Sequence, residues 1–252
     1  SKISAIDVMQ NTDWWNLQSG TVKQVDEDGK AISTTGYSES SMLSYALRGN
    51  YAFKDRYMVT ATIRWDGSSK FPKGYRWGTF PSVAVAWRLS EERFLQKEWL
   101  NNLKLRLSYG VSGNNTGIGN YETTVGIGSP IYYPFGPDYW TGQFPGSIVD
   151  ADLHWEKSYE YNAGIDFGFL QNRINGSIDI YQKNSKELLY GVNLPLEAGG
   201  GNLKTNIGRV QNRGVEIALT TVNITNRDWE WTTTFTFAHN SNKVKEINGV
   251  SN

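Results

Sequence analysis

Apolar and polar residues alternate with period two through most of the chain, and this alternation limits the folds that are open to it. One example follows Arg56, where every second residue is apolar: Tyr57, Val59, Ala61, Ile63 and Trp65. Successive side chains of a β-strand point to opposite faces, so this pattern predicts strands with one apolar and one polar face. Eight segments of roughly nine to eleven residues show it, a length that crosses a bilayer at a tilt.

The links between these segments differ in length in a regular order. Short links lie at 54–56, 170–173 and 225–228, and long links lie at about 67–78, 113–154 and 184–206. The link at 90–102 is intermediate and predicts a helical turn. A membrane barrel with tight turns on one side and large loops on the other requires this order. Residues 1–41 show little periodicity and are predicted to be an irregular, loop-like segment before the strands of 42–252.

The polar face predicted by the alternation carries charged side chains in the middle of strands. These residues are predicted to face a lumen: Arg48, Arg64, Asp66, Arg88, Lys104, Arg106, Glu160, Asp166 and Asp179. Aromatic residues gather at strand ends, where the girdles of a membrane barrel lie. Both features favour a membrane barrel. Two alternatives stay open, a soluble β-sandwich that binds carbohydrate through its aromatic residues and a small closed eight-stranded outer-membrane barrel.

Composition and motifs narrow the classes of function. The chain has 25 basic and 25 acidic residues, and this balance argues against a nucleic-acid binder. It has no cysteine, and its two histidines are far apart in the sequence. No HExxH, P-loop, EF-hand or GxSxG motif occurs. We therefore predict no catalytic residues, no metal site and no cofactor, and we do not expect an enzyme.

The long link 113–154 is rich in aromatic residues and prolines. Aromatic rings offer flat apolar surfaces that suit sugar rings or peptides. In a membrane barrel this link would lie on the side opposite the tight turn at 54–56, outside the cell, and its rings are predicted to face a ligand. Packing of the rings within the link or against a neighbouring chain is an open alternative. The candidate substrate-binding residues are Tyr132, Tyr133, Tyr139 and Trp140.

Several stretches contain recognisable short sequence motifs. They are RYMVTATIRWDGSSKF at 56–71, RWGTFPSVAVAWRLSEERFL at 76–95, LKLRLSYGVSGNNTGIGNY at 103–121, LHWEKSYEYNAGIDFGFLQNRINGSIDIYQKNSKELL at 153–189 and NIGRVQNRGVEIALTTVNI at 206–224. In this order and spacing they resemble the C-terminal part of the barrel of SusC/RagA-type TonB-dependent outer-membrane transporters. The resemblance extends over about 42–240.

The resemblance implies a fold and a function. The fold would be all-β, an antiparallel meander of about eight strands that forms a segment of a large transmembrane β-barrel in the bacterial outer membrane. The function would be import of oligosaccharides, or of peptides, with a SusD-like surface lipoprotein as partner and TonB acting through a plug domain and a TonB box. This sequence shows neither plug nor box, and large barrels of this kind have about 22 strands. The chain is therefore expected to be a fragment of a longer transporter.

Overall fold

The computed structural model describes residues 5–6, 21–22, 38–128, 131–135, 138–143, 145–198, 201–247 and 250–251. The chain divides into two compact units, Ser1–Ser40 and Ser41–Asn252. In the first unit, strand β1 (Ala5–Ile6) pairs antiparallel with strand β2 (Thr21–Val22). Among the described residues, no helix has the length and hydropathy of a membrane-spanning segment.

The second unit is built almost entirely from strands, which are numbered in chain order. Its long strands are β3 (Met42–Phe53), β4 (Tyr57–Ser68), β5 (Trp77–Arg88), β6 (Leu100–Asn114), β9 (Glu156–Phe169), β10 (Ile174–Lys186), β13 (Arg209–Thr225) and β14 (Glu230–Ile247). Its short strands are β7 (Ile131–Phe135), β8 (Asp138–Gly142), β11 (Leu189–Asn193), β12 (Asn202–Asn206) and β15 (Val250–Ser251). Two 3-10 turns, Leu89–Glu91 and Leu196–Ala198, complete the elements.

The eight long strands form one antiparallel meander in which chain neighbours are also sheet neighbours, and β15 adds a short ninth strand beside β14. The predicted fold class is therefore confirmed. Within the described residues β3 pairs with β4 alone, so the sheet is open and the eight strands do not close into a small barrel. A bulge between Val222 and Ile224 shifts the register so that Ile224 lies opposite Trp231.

The register separates the side chains onto two faces of the sheet. Leu105 lies in one row with Ile165, Ile178 and Ile217, and we call their side the apolar face. The register places all ten residues predicted to face lipid on this face: Leu43, Leu47, Val59, Ile63, Val85, Leu105, Ile165, Ile178, Ile217 and Phe235. Leu47, for example, is 67% exposed. No second sheet packs on this face among the described residues, so the fold is not a β-sandwich.

The two ends of the sheet also differ. The end with the tight turns carries ring pairs on the apolar face, with centroids 6.0 Å apart for Tyr57 and Trp87 and 5.5 Å apart for Phe167 and Phe169. The opposite end, here the long-link end, carries the pairs Tyr45–Trp77 and Tyr109–Tyr161, 6.0 and 5.0 Å apart. The aromatic residues thus bracket an aliphatic band from both sides, as in membrane barrels.

Candidate functional site: the polar face and the long-link layer

The face opposite the apolar face, which we call the polar face, holds all nine residues predicted to face a lumen. A single row across five strands shows how the register arranges it: Arg48, Thr62, Ser82, Gly110, Glu160. A second row joins Arg88, Lys104 and Asp166. The nine charged residues thus share one face of the sheet, and their role toward a lumen stays a prediction.

An ionic network lies near the centre of the polar face. The Arg106 Nε and Nη2 atoms donate to both carboxylate oxygens of Asp166 at 2.8–3.0 Å, and Nη2 also donates to Asp179 Oδ2 at 3.0 Å. The Lys104 Nζ atom lies 3.3 Å from Asp166 Oδ2. Two cations and two carboxylates are thus held in one fixed arrangement across β6, β9 and β10. Such a network gives the polar face a rigid and nearly neutral patch.

Gly164 leaves the space through which Arg106 reaches Asp179. It lies between Arg106 and Asp179 in the same row of the sheet. A Cβ atom at this position would overlap the Asp179 carboxylate and would lie 2.7 Å from Arg106 Nη2. The arginine can therefore reach across a whole strand to the second neighbouring strand because the residue between them has no side chain.

The remaining predicted charges behave differently from this network. Arg64 Nε donates to both oxygens of Asp66, at 2.7 and 2.8 Å, and Asp66 is buried. No ion pair within the described residues joins Arg48, Arg88 or Glu160. These three side chains keep unneutralised charge on the polar face.

A compact hydrophobic cluster lies at the long-link end, where the alternation of the strands does not predict one. It consists of five buried residues, each at most 6% exposed: Phe71, Phe80, Ile118, Leu153 and Trp155. The rings of Phe71 and Phe80 lie 5.0 and 5.5 Å from the Trp155 ring, centroid to centroid. Phe71 comes from the first long link, Ile118 and Leu153 come from the second, and Phe80 comes from β5. The cluster therefore anchors these two links to the sheet.

Glycines of the short sequence motifs make room for aromatic rings at this end of the sheet, including the Phe80 ring of the cluster. A Cβ atom at Gly78 or at Gly113 would overlap the Phe80 ring, and one at Gly67 would lie 2.9 Å from the Trp77 ring. The motifs WG.F and SGN therefore describe an aromatic ring lying directly against backbone. Sequence reasoning missed this core, although glycines next to aromatic residues were its visible signal.

Hydrogen bonds tie the three long links into one layer, which we call the long-link layer (residues 69–76, 115–155 and 187–208 as far as described). The first link meets the second through Lys70 Nζ, which donates to the Ile118 carbonyl at 2.9 Å, and through Trp155 Nε1, which donates to the Arg76 carbonyl at 3.0 Å.

The second and third links of this layer are joined as firmly. Lys204 Nζ donates to the Gly117 carbonyl at 2.7 Å, and Thr205 Oγ1 donates to Asp150 Oδ2 at 2.6 Å. Asn206 accepts a hydrogen bond from the His154 backbone N–H and donates one to the His154 carbonyl, both at 2.8 Å. Hairpin β11–β12 gives the third link its own ladder. The long links are therefore built structure, not free loops.

One tyrosine of this layer has a perturbed ionisation. The Tyr75 hydroxyl donates to Asp152 Oδ1 at 3.0 Å, and this bond to a carboxylate raises the pKa of Tyr75 above its ordinary value. The Tyr75 ring also lies 5.9 Å from the His154 ring. Among the residues that the structure describes, no group of three or more His, Asp or Glu side chains is arranged to hold a metal ion.

The four candidate substrate-binding aromatics lie on hairpin β7–β8 within the second long link. Tyr133 pairs with Trp140 in the register, and Tyr132 and Tyr139 lie on the other face of the hairpin from Trp140. The side chains of Tyr132, Tyr139 and Trp140 are 68%, 76% and 58% exposed. The structure thus gathers the four residues on one hairpin and leaves these three rings largely open to solvent. Their contact with a substrate stays a prediction.

Comparison with known proteins identifies the class to which this fold belongs. Residues 5–252 match the family described as TonB dependent receptor-like, beta-barrel, and the chain belongs to that family. It is 37% identical over 237 residues to TonB-dependent receptor SusC of Bacteroides thetaiotaomicron, covering 90% of this chain and 23% of SusC. It is also 37% identical over 219 residues to TonB-dependent receptor P39 of Formosa agariphila, covering 86% of this chain and 21% of P39.

The fold agrees with these sequence relationships. The RagAB peptide importer in its closed-closed state superposes with a TM-score of 0.76 at 26% identity, over 92% of this chain and 25% of the importer chain. The SusC/RagA-type resemblance seen in the sequence is therefore confirmed. The chain spans about a quarter or less of the length of the proteins it matches.

Proposed function

We propose that the chain forms part of the wall of an import channel in the bacterial outer membrane, within a SusC-like TonB-dependent transporter. One observation carries the proposal: a single sheet has an uncovered aliphatic face bracketed by aromatic rings and an opposite face crossed by charged rows. Lipid suits the first face and a hydrated lumen suits the second. The residues that would line the lumen or meet a plug are those of the polar face, including Arg48, Arg88 and Glu160.

The long-link layer would then face the outside of the cell. The links alternate sides along the meander, so the three long links share one side and the tight turns share the other. An exposed hairpin with aromatic rings on this side suits a flat ligand such as a sugar ring or a peptide side chain. TonB would act through a plug elsewhere in the full receptor, and a SusD-like lipoprotein would cover the outer side.

Two classes of cargo, oligosaccharides and peptides, are compatible with this proposal. The SusC/RagA-type resemblance of the sequence implies oligosaccharides or peptides, whereas the similar RagAB protein is described as a peptide importer. The experiment is binding and uptake by the full receptor, in parallel with an oligosaccharide panel and an oligopeptide panel. Tyr139→Ala with Trp140→Ala should weaken binding of the true cargo by about tenfold or more, with barrel assembly unchanged because the hairpin lies outside the sheet.

A matched control for this experiment lies in the same layer. Tyr75 is an aromatic residue of the first long link that is engaged with Asp152, so Tyr75→Phe changes a loop tyrosine without touching the hairpin. Unchanged affinity for both panels in the hairpin double variant, at normal surface expression, would assign these rings to a role other than cargo binding. If only Tyr75→Phe loses affinity, the cargo-binding site lies at the first long link and not at the hairpin.

A further inference from the structure

The charges on the apolar face are distributed with an unusual bias. Over the eight long strands, the only acidic residue that the register places on this face within the described residues is Glu246, near the end of β14. The basic residues on the face lie on four adjacent strands, all toward the long-link end: Lys157, Lys186, Arg209, Arg213 and Lys243. The polar face, in contrast, mixes both signs throughout.

The register shows that these cations form one patch. Lys157, Lys186 and Arg209 lie in a single row across β9, β10 and β13. Arg213 lies on the same face of β13, four residues after Arg209. Lys243 on β14 is paired with Gln211, which lies between these two arginines. From strand spacing and rise, the patch measures about 14 by 13 Å. Four of its five side chains are exposed, and Arg209 Nη2 lies 3.7 Å from Glu246 Oε2.

An amphipathic groove begins at this patch and runs across the sheet. It has a volume of about 790 Å³ and crosses six strands, from β14 to β5. Its β13–β14 end is polar, with Arg213, His239 and Ser241, and its other end is apolar, with Val85, Leu107 and Tyr109. Six strands correspond to a length of about 24 Å. A long acyl chain fits this length and this change of polarity.

We propose that this face binds a lipid of the outer leaflet whose phosphates give it a net negative charge, with the phosphates on the cationic patch and an acyl chain in the groove. The inference rests on the proposed function, because it requires the apolar face to meet a membrane. Five cations and one carboxylate at the border of the aliphatic band leave an excess of positive charge where headgroups lie. Arginine and lysine complement phosphate through charge-assisted hydrogen bonds. A neutral or zwitterionic lipid would leave this charge uncompensated.

The test uses the full receptor in nanodiscs and counts bound lipid by native mass spectrometry. The probes are diphosphorylated lipid A, the same lipid after dephosphorylation, and phosphatidylcholine of equal chain length. The native receptor should retain the diphosphorylated lipid at least tenfold more strongly than either other probe. The triple variant Arg209→Gln, Arg213→Gln and Lys243→Gln should lose this preference. Lys183→Gln, a cation removed from the polar face of the same region, should keep it.

The outcomes separate this inference from the function on which it rests. Equal retention of all three probes by the native receptor, a measurement that needs no variant, would overturn the lipid site. A triple variant that keeps the native preference would overturn it as well. A receptor that imports cargo but shows no phosphate preference contradicts the lipid site alone. A receptor that retains the phosphorylated lipid but imports neither panel contradicts the proposed transport alone.

Discussion

The apolar and polar faces of the sheet differ in how their side chains are held, as the neighbours Leu105 and Arg106 on β6 show. Leu105 lies in a row of aliphatic residues that contacts no second layer, whereas Arg106 holds two carboxylates on two other strands. The aliphatic band in the middle of the apolar face makes no such individual contacts, since its residues share only their apolar character. The polar face depends on individual partners and on a glycine at one position. The two faces therefore tolerate substitution for different physical reasons.

The largest expected effect comes from reversing the polarity of the apolar face. Leu105→Arg in the full receptor should make folding into the membrane less favourable by about 2–4 kcal/mol, the cost of an outward arginine near the bilayer midplane. Arg106→Leu should cost less, because Lys104 still lies near Asp166 and the carboxylates of Asp166 and Asp179 are only partly buried. The heat-modifiable folded fraction measures both variants. Equal losses would contradict the assignment of the faces.

A smaller effect should follow from adding one methyl group to each face. Gly164→Ala places a Cβ atom against Asp179 and Arg106 and should cost about 1–3 kcal/mol, the usual penalty of forcing a packed site apart. Gly49→Ala is the matched control, since no atom lies within 4 Å of the Cβ position there. Urea or thermal unfolding of the reconstituted receptor compares them. A penalty at Gly49 as large as that at Gly164 would show that the network does not constrain the wall.

The smallest effect concerns Glu92, where the apolar face meets the tight-turn end. Its carboxylate accepts hydrogen bonds from the Tyr57 hydroxyl at 2.7 Å and from Trp87 Nε1 at 3.2 Å. These bonds, with the Arg56 charge, hold the pKa of Glu92 below its ordinary value. A lowered folded-state pKa stabilises the fold above the ordinary glutamate range, and this contribution is lost as the pH falls through the folded-state pKa.

Hydrogen exchange of the segment 89–95 measures this effect. After correction for intrinsic exchange, protection in the native receptor should fall only once the pH drops below the ordinary glutamate range, because the pKa of Glu92 is lowered. Glu92→Gln should already be less protected and should show no such pH dependence. Tyr57→Phe removes the hydrogen bond that lowers the pKa most and serves as the matched variant, so its loss of protection should begin at a higher pH. A pH-independent native protein would contradict the role of the carboxylate.

The strands, their order and their faces could be predicted because period two is a local signal that each strand repeats. Local signals end where the chain leaves the sheet. Phe80 lies on the polar face and breaks the alternation at the start of β5, and β5 begins at Trp77, inside the link predicted at about 67–78. Phe71 and Trp155 are in contact although they are far apart in the sequence, and no local pattern near either residue predicts the contact.

The register shift at Val222–Ile224 and the hairpins inside the long links were equally out of reach. A bulge depends on one unpaired residue between two strands, and neighbouring sequence does not mark it. Hairpins β7–β8 and β11–β12 form within segments whose proline and glycine content predicts only turns. The four candidate aromatics could be singled out by composition, but their division between the two faces of a hairpin required the register.

The bonding within the long-link layer has a consequence for how an entrance here could open. Each link is fastened to the next by side chains that reach backbone carbonyls, from Lys70 to Ile118 and from Lys204 to Gly117. None of these three segments can swing outward alone without breaking several such fastenings together. The three links should therefore move as one rigid unit, so that a displacement of any one of them would carry the other two with it.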